Sequence, residues 1–587
     1  MSPAVVTALA LVAYLLGYRF YSKWLAQKVY RLDAELITPA HEQEDGIDFV
    51  PTRPQVLFGH HFASIAGLAP MLGPAVAVFW GWLPALLWVV GGAILIGCVH
   101  DFSAMVLSVR HRGESIGSLC ESILGPLAKA LFLLLILFGV SLAMGVFVFV
   151  ISLLFTWGDD FQPQALHLSK TSFPEVVLPS AGLMLLALGC GWLLYVKRKP
   201  LAPVASIGFV LLLGLIGLGY AFPTMGFSRE QWPSGTSWVY ILLTYAWLAS
   251  VLPVWLLLQA RDFLNSLLLV LGLILMYTGF FVMGPSFDAP AFNPNPVGAP
   301  PLLPFVFITI ACGAASGFHS LVASGTTARQ LDRETHARPI GYGAMIAESL
   351  LALIAVLACT STLGSKGAWA ELYVNWAAVQ GLGEKLGVFI RGAASFLEEL
   401  GIAPELAITM IAMVVVSFAL TTLDSATRLL RFNLEEIGQA ISRVPALAWL
   451  GRPLMNRYVA TSVACLCIAF FAFFKIDGQP AGLTLWTLFG GTNQLIAGLA
   501  LLTATVYLRS LGRRTLPLAI PAVFMIGITL FVLVSKVLQF QKEGQWLLLG
   551  LASALVLIGV GVGITAVVAL TKPIPTTSDE DSGILEA

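Results

Sequence analysis

The sequence predicts an all-α integral membrane protein of about fifteen transmembrane helices. Of its 587 residues, 58% are hydrophobic and only 11% charged, against roughly 25% charged in an ordinary soluble chain. Apolar runs near 20 residues, enough to cross about 30 Å of hydrocarbon, recur from one end to the other. Nothing in that medium satisfies an open backbone, so each run is expected to be helical.

The runs begin near residues 3, 60, 82, 127, 176, 203, 236, 266, 302, 342, 404, 456, 482, 515 and 546. In the first, Pro3 to Tyr18, no basic residue precedes the apolar stretch, and Arg19, Lys23 and Lys28 follow it. That order suits an uncleaved helix with its N-terminus outside. If the spans then alternate, 24 of the 32 Lys and Arg fall in inside segments. The eight outside are Lys170, Arg229, Lys366, Lys385, Arg391, Lys475, Lys536 and Lys542. The bias persists to the end of the chain and places the C-terminus in the cytoplasm of a cell (inner) membrane. Residues 370–400, opened by Trp369 and Trp376, read as an extra amphipathic interfacial helix.

The polar stretch Ser22–Gln55 and the Pro-rich Gly284–Pro304 are the longest interruptions, and no soluble domain is expected. One transmembrane domain covers 1–570, with accessory helices over 3–21 and 456–570, and the acidic tail 571–587 is expected to be disordered. A formal net charge of zero and the lack of a basic domain point away from nucleic acid. The seven cysteines lie mostly within apolar runs without a CxxC pair, so they read as packing residues rather than disulfides or a zinc site. No cofactor and no metal are expected; His60, His61, His100 and His319 have no ligand spacing that would make a metal or haem enzyme.

The second run carries Gly59-His60-His61 and then Ala66-Gly67-Leu68-Ala69-Pro70-Met71-Leu72-Gly73-Pro74. Two prolines and three glycines in one span interrupt the hydrogen-bond ladder, and freed backbone at that depth must face protein, water or a ligand. Secondary transporters bind ions and substrates at such discontinuities. An inverted partner is expected five spans later, where the seventh run has Ser250 and a mid-span Pro253.

In the ninth run Ser316, Ser320 and Ser324 recur every four residues and share a helix face, and Gly313-x-x-x-Gly317 permits close helix approach. Packing explains much of that face. His319 is harder to explain so, because a charge at the bilayer centre costs about 2.5–3.5 kcal/mol and ionisable groups there line cavities. Asp101, beside His100 in the third run, and Glu348 in the tenth need a partner, a cation or a proton for the same reason. Asp424 reads as an ion pair with Arg428 one turn on, Arg261-Asp262 as an interfacial cap, and Asn493-Gln494 as interhelical hydrogen-bonding amides.

Asp45-Gly46-Ile47-Asp48-Phe49-Val50-Pro51-Thr52 running into Gly59-His60-His61-Phe62 resembles the carbon starvation protein CstA family. So do Ser316-Gly317-Phe318-His319-Ser320-Leu321-Val322, Ser324-Gly325-Thr326-Thr327, Ala337-Arg338-Pro339-Ile340-Gly341-Tyr342-Gly343 and Leu420-Thr421-Thr422-Leu423-Asp424-Ser425-Ala426-Thr427-Arg428. Leu488-Phe489-Gly490 with Asn493-Gln494-Leu495 fits too, although Ala69 stands where a glycine is expected. The resemblance implies a LeuT-like 5+5 inverted repeat over spans 2–6 (about 58–222) and 7–11 (about 236–430). It also implies uptake of peptides or of pyruvate with protons, linked to carbon starvation.

Taken together, substrate is expected at Gly59, His60, His61, Ala66, Gly67, Pro70, Gly73, Ser250, Pro253, Ser316, His319 and Ser320. Proton or ion coupling is expected among His61, Asp101, His319, Ser324, Glu348 and Asp424. Exposed half-helix N-termini would suit a carboxylate. Two other readings are a sodium symporter, with Ser316 and Ser320 as ligands, and a nutrient sensor that binds without translocating.

Overall fold

The computed structural model describes residues 2–158, 171–379, 381–476 and 479–571. Beyond a two-residue strand pairing, Lys475–Ile476 with Gln479–Pro480, the described chain is helical. Among the described residues eleven helices are long and apolar enough to cross a membrane, and two bent pairs bring the total to at most 13. The chain is therefore an all-α, multi-pass membrane protein with fewer uninterrupted spans than the fifteen expected. The shortfall has a local cause. The run near residue 236 forms a helix of only 17 residues, Gly235–Val251. The run near 302 is split into Leu302–Thr309 and Gly317–Val322.

Helix burial separates centre from rim. Pro126–Phe155, Glu334–Ser361, Pro404–Ser442 and Leu488–Ser510 are 78–89% buried in their apolar windows, while Leu201–Ala221 is only 22% buried and Trp546–Thr571 28%. The first group forms the core, and the second presents its leucines and valines outward, as a lipid-facing helix must. The segment Leu382–Glu398 belongs with the core. Its Leu386, Phe389, Ile390 and Phe396 are fully buried, which corrects the interfacial placement expected for residues 370–400.

Loops that the charge count puts on one side do gather on one face. Arg110 pairs with Glu334 at 2.5 Å and donates to the Tyr30 carbonyl, and Gln43 donates to the Arg112 carbonyl. Arg443 pairs with Glu121, and the Val254 amide donates to the Ile47 carbonyl. At the opposite face the Trp82 amide donates to the Pro290 carbonyl and the Trp376 amide to the Val297 carbonyl.

A pair of broken spans at the centre lies antiparallel. The first bends by 46° between Pro54–Ile65 and Ala69–Trp80. The second is the interrupted ninth run. At the basic face the Thr52 amide donates to the Gln330 carbonyl, and at the other the Trp80 indole N–H donates to the Pro300 carbonyl. The start of one span thus lies beside the end of the other. This corrects the expectation of a second break at Pro253, which falls after the Gly235–Val251 helix has ended, in the turn before Leu258–Met283.

Candidate functional site

Pro70 and Pro74 cannot donate to the preceding turn, and the chain opens where they demand it. The Ala66 amide still reaches the Phe62 carbonyl, Gly67 folds back to Ile65, and the ladder resumes only when Met71 donates to Leu68. The freed Ser64 carbonyl accepts from the Thr422 hydroxyl at 3.2 Å. Gly67 is needed here, since a Cβ would lie 2.8 Å from Thr422 Oγ1 and 2.9 Å from Phe147 Cε2. Gly73 lets the Thr309 carbonyl approach in the same way, its Cβ position being 2.7 Å away. These glycines bring the two breaks together.

The second break runs from Ile310 to Ser316 and turns on Gly313, whose φ of +84° lies in the left-handed region that only glycine adopts cheaply. Side chains from other helices satisfy the backbone it frees. Glu348 Oε1 accepts from the Gly313 amide at 3.1 Å, and Asn493 Oδ1 accepts from the Phe318 amide at 2.9 Å. Asn493 Nδ2 donates to Ser316 Oγ at 3.0 Å, and the Cys312 thiol donates to the same oxygen at 3.2 Å. The half-helix N-terminus at Gly317 is therefore already capped, so the free amides expected there for a carboxylate are taken.

His319 sits at the centre of a wholly buried charge network. Its Nδ1 is 3.0 Å from Asp101 Oδ2, and Asp101 Oδ1 meets His100 Nδ1 at 2.9 Å. On the other side of the ring, Nε2 lies 3.2 Å from Glu348 Oε2 without the alignment of a hydrogen bond. Helices beginning near residues 82, 302 and 342 supply these groups, as the sequence expected, and all are 0–1% exposed. His61 Nδ1 bonds Thr327 Oγ1 at 2.9 Å, leaving Nε2 without a partner.

A second buried network was not expected. Arg261 pairs with both Asp262 and Asp424, Tyr245 donates to Asp424, and His60 Nδ1 meets Asp262 Oδ2 at 2.6 Å. Arg261, Asp262, Asp424 and His60 are all 0% exposed. This corrects two expectations. Asp262 and Arg261 do not cap a span at the interface, because the new helix starts at Leu258 and carries them inside. Asp424 does not pair with Arg428, whose guanidinium instead meets Asp48 at 2.7 Å.

Beside the two breaks lies a central cavity of about 20 Å³, lined by Ile65, Gly67, Ala69, Phe147, Cys312, Phe318, Thr422 and Asn493 among others. It has room for about one water. A vestibule of about 380 Å³ descends to it from the face opposite the basic one, past Lys536, Glu543 and Trp376, and shares Ala69, Cys312 and Phe489 with it. Toward the basic face the way is filled. Arg428 and Arg431 hold Asp48 at 2.7 and 3.3 Å, and Arg329 stacks over Phe49 and Phe432. The molecule is thus open on one side of its breaks and shut on the other.

Of the expected site residues, Gly67, Ala66, Pro70, Gly73, Ser316 and His319 lie at or beside the breaks, with Asp101 and Glu348 around His319. Gly59 packs against the Phe263 backbone and the Ser266 side chain. Ser320 and Ser324 turn their hydroxyls to the carbonyls of Gly317 and Ser320 on their own helix. Ser250 stands apart, with its hydroxyl 3.4 Å from Thr461 Oγ1, as does Pro253 in its turn. Sequence reasoning passed over Cys312, yet its sulfur, a His319 ring nitrogen and a Glu348 oxygen all lie within 4.8 Å of one another. No motif spacing could reveal a donor set drawn from two helices and a break.

The family model described as carbon starvation protein CstA matches residues 2–380 and 370–532 of the chain. The peptide transporter CstA of Campylobacter jejuni is 31% identical, over 93% of this chain and 82% of its own length. The pyruvate/proton symporter BtsT of Escherichia coli is also 31% identical, over 90% of this chain and 81% of its own. Among solved structures, a manganese transporter of Eremococcus coleocola covers 90% of this chain and 98% of its own at 12% identity, with a TM-score of 0.41.

Proposed function

The chain belongs to the carbon starvation protein CstA family of transporters, and on that premise we propose that it imports a small carboxylate-bearing nutrient, a peptide or pyruvate, together with a proton across the cytoplasmic membrane. The N-terminus is outside and the C-terminus cytoplasmic, so the basic face looks inward and the vestibule outward. The observation that carries the reading is His319 held between Asp101 and Glu348, at 3.0 and 3.2 Å, beside the paired breaks. A histidine titrates near pH 6.5 when unperturbed, and two carboxylates around it give a proton somewhere to go.

Substrate enters by the vestibule and reaches the break at Gly67–Ala69, where the interrupted ladder leaves amides for a carboxylate. Release inward requires Asp48 to part from Arg428 and Arg431. The antiparallel breaks support a rocking of inverted halves, with the span of Gly67 paired to the span of Gly313 rather than to that of Pro253. The sodium reading finds less support, because the Ser320 hydroxyl bonds the Gly317 carbonyl of its own helix while Ser316 Oγ is taken by Asn493 and Cys312, so the two do not converge on one point.

Flux into proteoliposomes tests this. An inward proton gradient should drive accumulation without sodium. One proton with pyruvate moves no net charge, so an imposed potential should leave it unchanged. A proton with a neutral peptide feels about 2.3 kcal/mol per charge per 100 mV and should respond. Binding without any flux would replace transport by sensing.

A further inference from the structure

We propose that Cys312, His319 and Glu348 form a binding site for a Zn²⁺-class divalent cation, reached from the central cavity past Cys312, with Asp101 holding the imidazole. The three donors are fully or nearly fully buried and lie within 4.8 Å of one another. Among the described residues no other group of three such donors comes together. A thiolate, an imidazole and a carboxylate are the ligands that borderline cations of this class accept, and three protein ligands with one open position is their common reactive arrangement.

The geometry fits beyond mere proximity. His319 Nε2 and Glu348 Oε2 are both buried, both lack a hydrogen-bond partner, and face each other at 3.2 Å. With metal–nitrogen and metal–oxygen bonds of about 2.0–2.1 Å, the edge of a tetrahedral site is about 3.3 Å. The other ring nitrogen is 3.0 Å from Asp101 Oδ2, the carboxylate–imidazole support usual behind a metal-bound histidine. Cys312 also lines the central cavity and the vestibule, so an ion has a way in past its sulfur.

Charge balances as well. Binding displaces the Cys312 thiol proton to solvent, together with any proton on Glu348, and the two anionic ligands then neutralise the dication. Metal and proton therefore compete for the same groups. Inhibition of proton-coupled uptake by Zn²⁺ would follow, a consequence that rests on the transport reading above. The site itself does not.

Co²⁺ titrated into the purified full-length chain in lipid nanodiscs, without substrate, tests the site. One equivalent should bring up a near-ultraviolet thiolate-to-metal absorption band, displaced by Zn²⁺. Cys312→Ser should abolish the band, whereas the double variant C465S/C467S should keep it. Asp101→Asn should keep the band and weaken affinity about 10–100-fold, as loss of such a supporting carboxylate does. No band in the wild-type chain, or a band that survives Cys312→Ser, overturns the proposal. Should that variant fail to fold, the ¹¹³Cd resonance of the wild-type protein decides: a shift for one thiolate with nitrogen and oxygen ligands supports the site, and an all-oxygen or all-nitrogen shift removes it. Because nothing is transported in these measurements, their failure leaves the transport reading untouched.

Discussion

His319 Nδ1 lies 3.0 Å from Asp101 Oδ2, joining the half-helix after one break to the unbroken span Trp82–Arg110. With Glu348 on the other side of the ring, this imidazole can change protonation only if one carboxylate responds. Neutralising a partner of a buried hydrogen-bonded charge pair costs about 2–5 kcal/mol, enough to uncouple the proton. His319→Ala is expected to lower gradient-driven uptake by roughly tenfold or more in protein that remains monodisperse. Glu348→Gln should abolish accumulation against a gradient while substrate–substrate counterflow continues. Proton-driven accumulation by Glu348→Gln at the wild-type level would remove Glu348 from the coupling path.

Gly67 supplies a second expectation. A methyl group there meets Thr422 Oγ1 at 2.8 Å and Phe147 Cε2 at 2.9 Å across the central cavity. Overpacking of that kind costs about 1–3 kcal/mol, borne by the break and not by the whole fold. Gly67→Val should eliminate substrate binding in a scintillation proximity assay with only a few degrees lost in Tm. Gly214, whose Cβ position meets nothing within 4 Å, is the control at which alanine should be silent.

How much of this could be read beforehand follows from what each residue announces. Pro70 and Pro74 break a helix wherever they fall, so the opening at Gly67 was legible. His319, Asp101 and Glu348 were legible because ionisable groups are too costly in a membrane to be incidental. The second break was not, since Ile310–Ser316 contains no proline and its one signal, Gly313, also reads as a packing glycine. Pro253 misled for the converse reason: it looked like a kink inside a span, but the helix stops at Val251. That shift of a few residues carries Arg261 and Asp262 from an assumed interface into the core, and only tertiary placement could show Asp424 as their partner.

Arg261 faces Asp262 and Asp424 with no solvent to share the charge. Removing one side of such a buried assembly costs about 3–5 kcal/mol, whereas removing both with apolar replacements can be nearly neutral. Arg261→Met alone is expected to depress Tm strongly, because two buried aspartates lose their counter-charge. Arg261→Met with Asp424→Leu should recover much of the loss. If the double variant is no more stable than the single, the ion pair is not what holds these helices together.

The closure at the basic face makes an expectation about pH. Burial alone would raise the Asp48 carboxyl, but Arg428, Arg431 and Arg329 outweigh it and hold the group below the ordinary carboxylate range. A depressed carboxyl contributes its full stabilisation above the unfolded value, near 3.9, and loses it only as pH falls through the lower folded value. Between about pH 5 and 8 the Asp48 carboxylate therefore stays charged, and on the proposed mechanism the pH dependence of uptake is expected from the His319 network instead. Asp48→Asn should raise labelling of a cysteine placed at Asn433, tested from the cytoplasmic side of inside-out vesicles, while the pH profile of transport keeps its midpoint. Should Asp48→Asn shift that midpoint, the latch and the proton site would have to be one device, and the separation of gate from coupling drawn from these distances would fail.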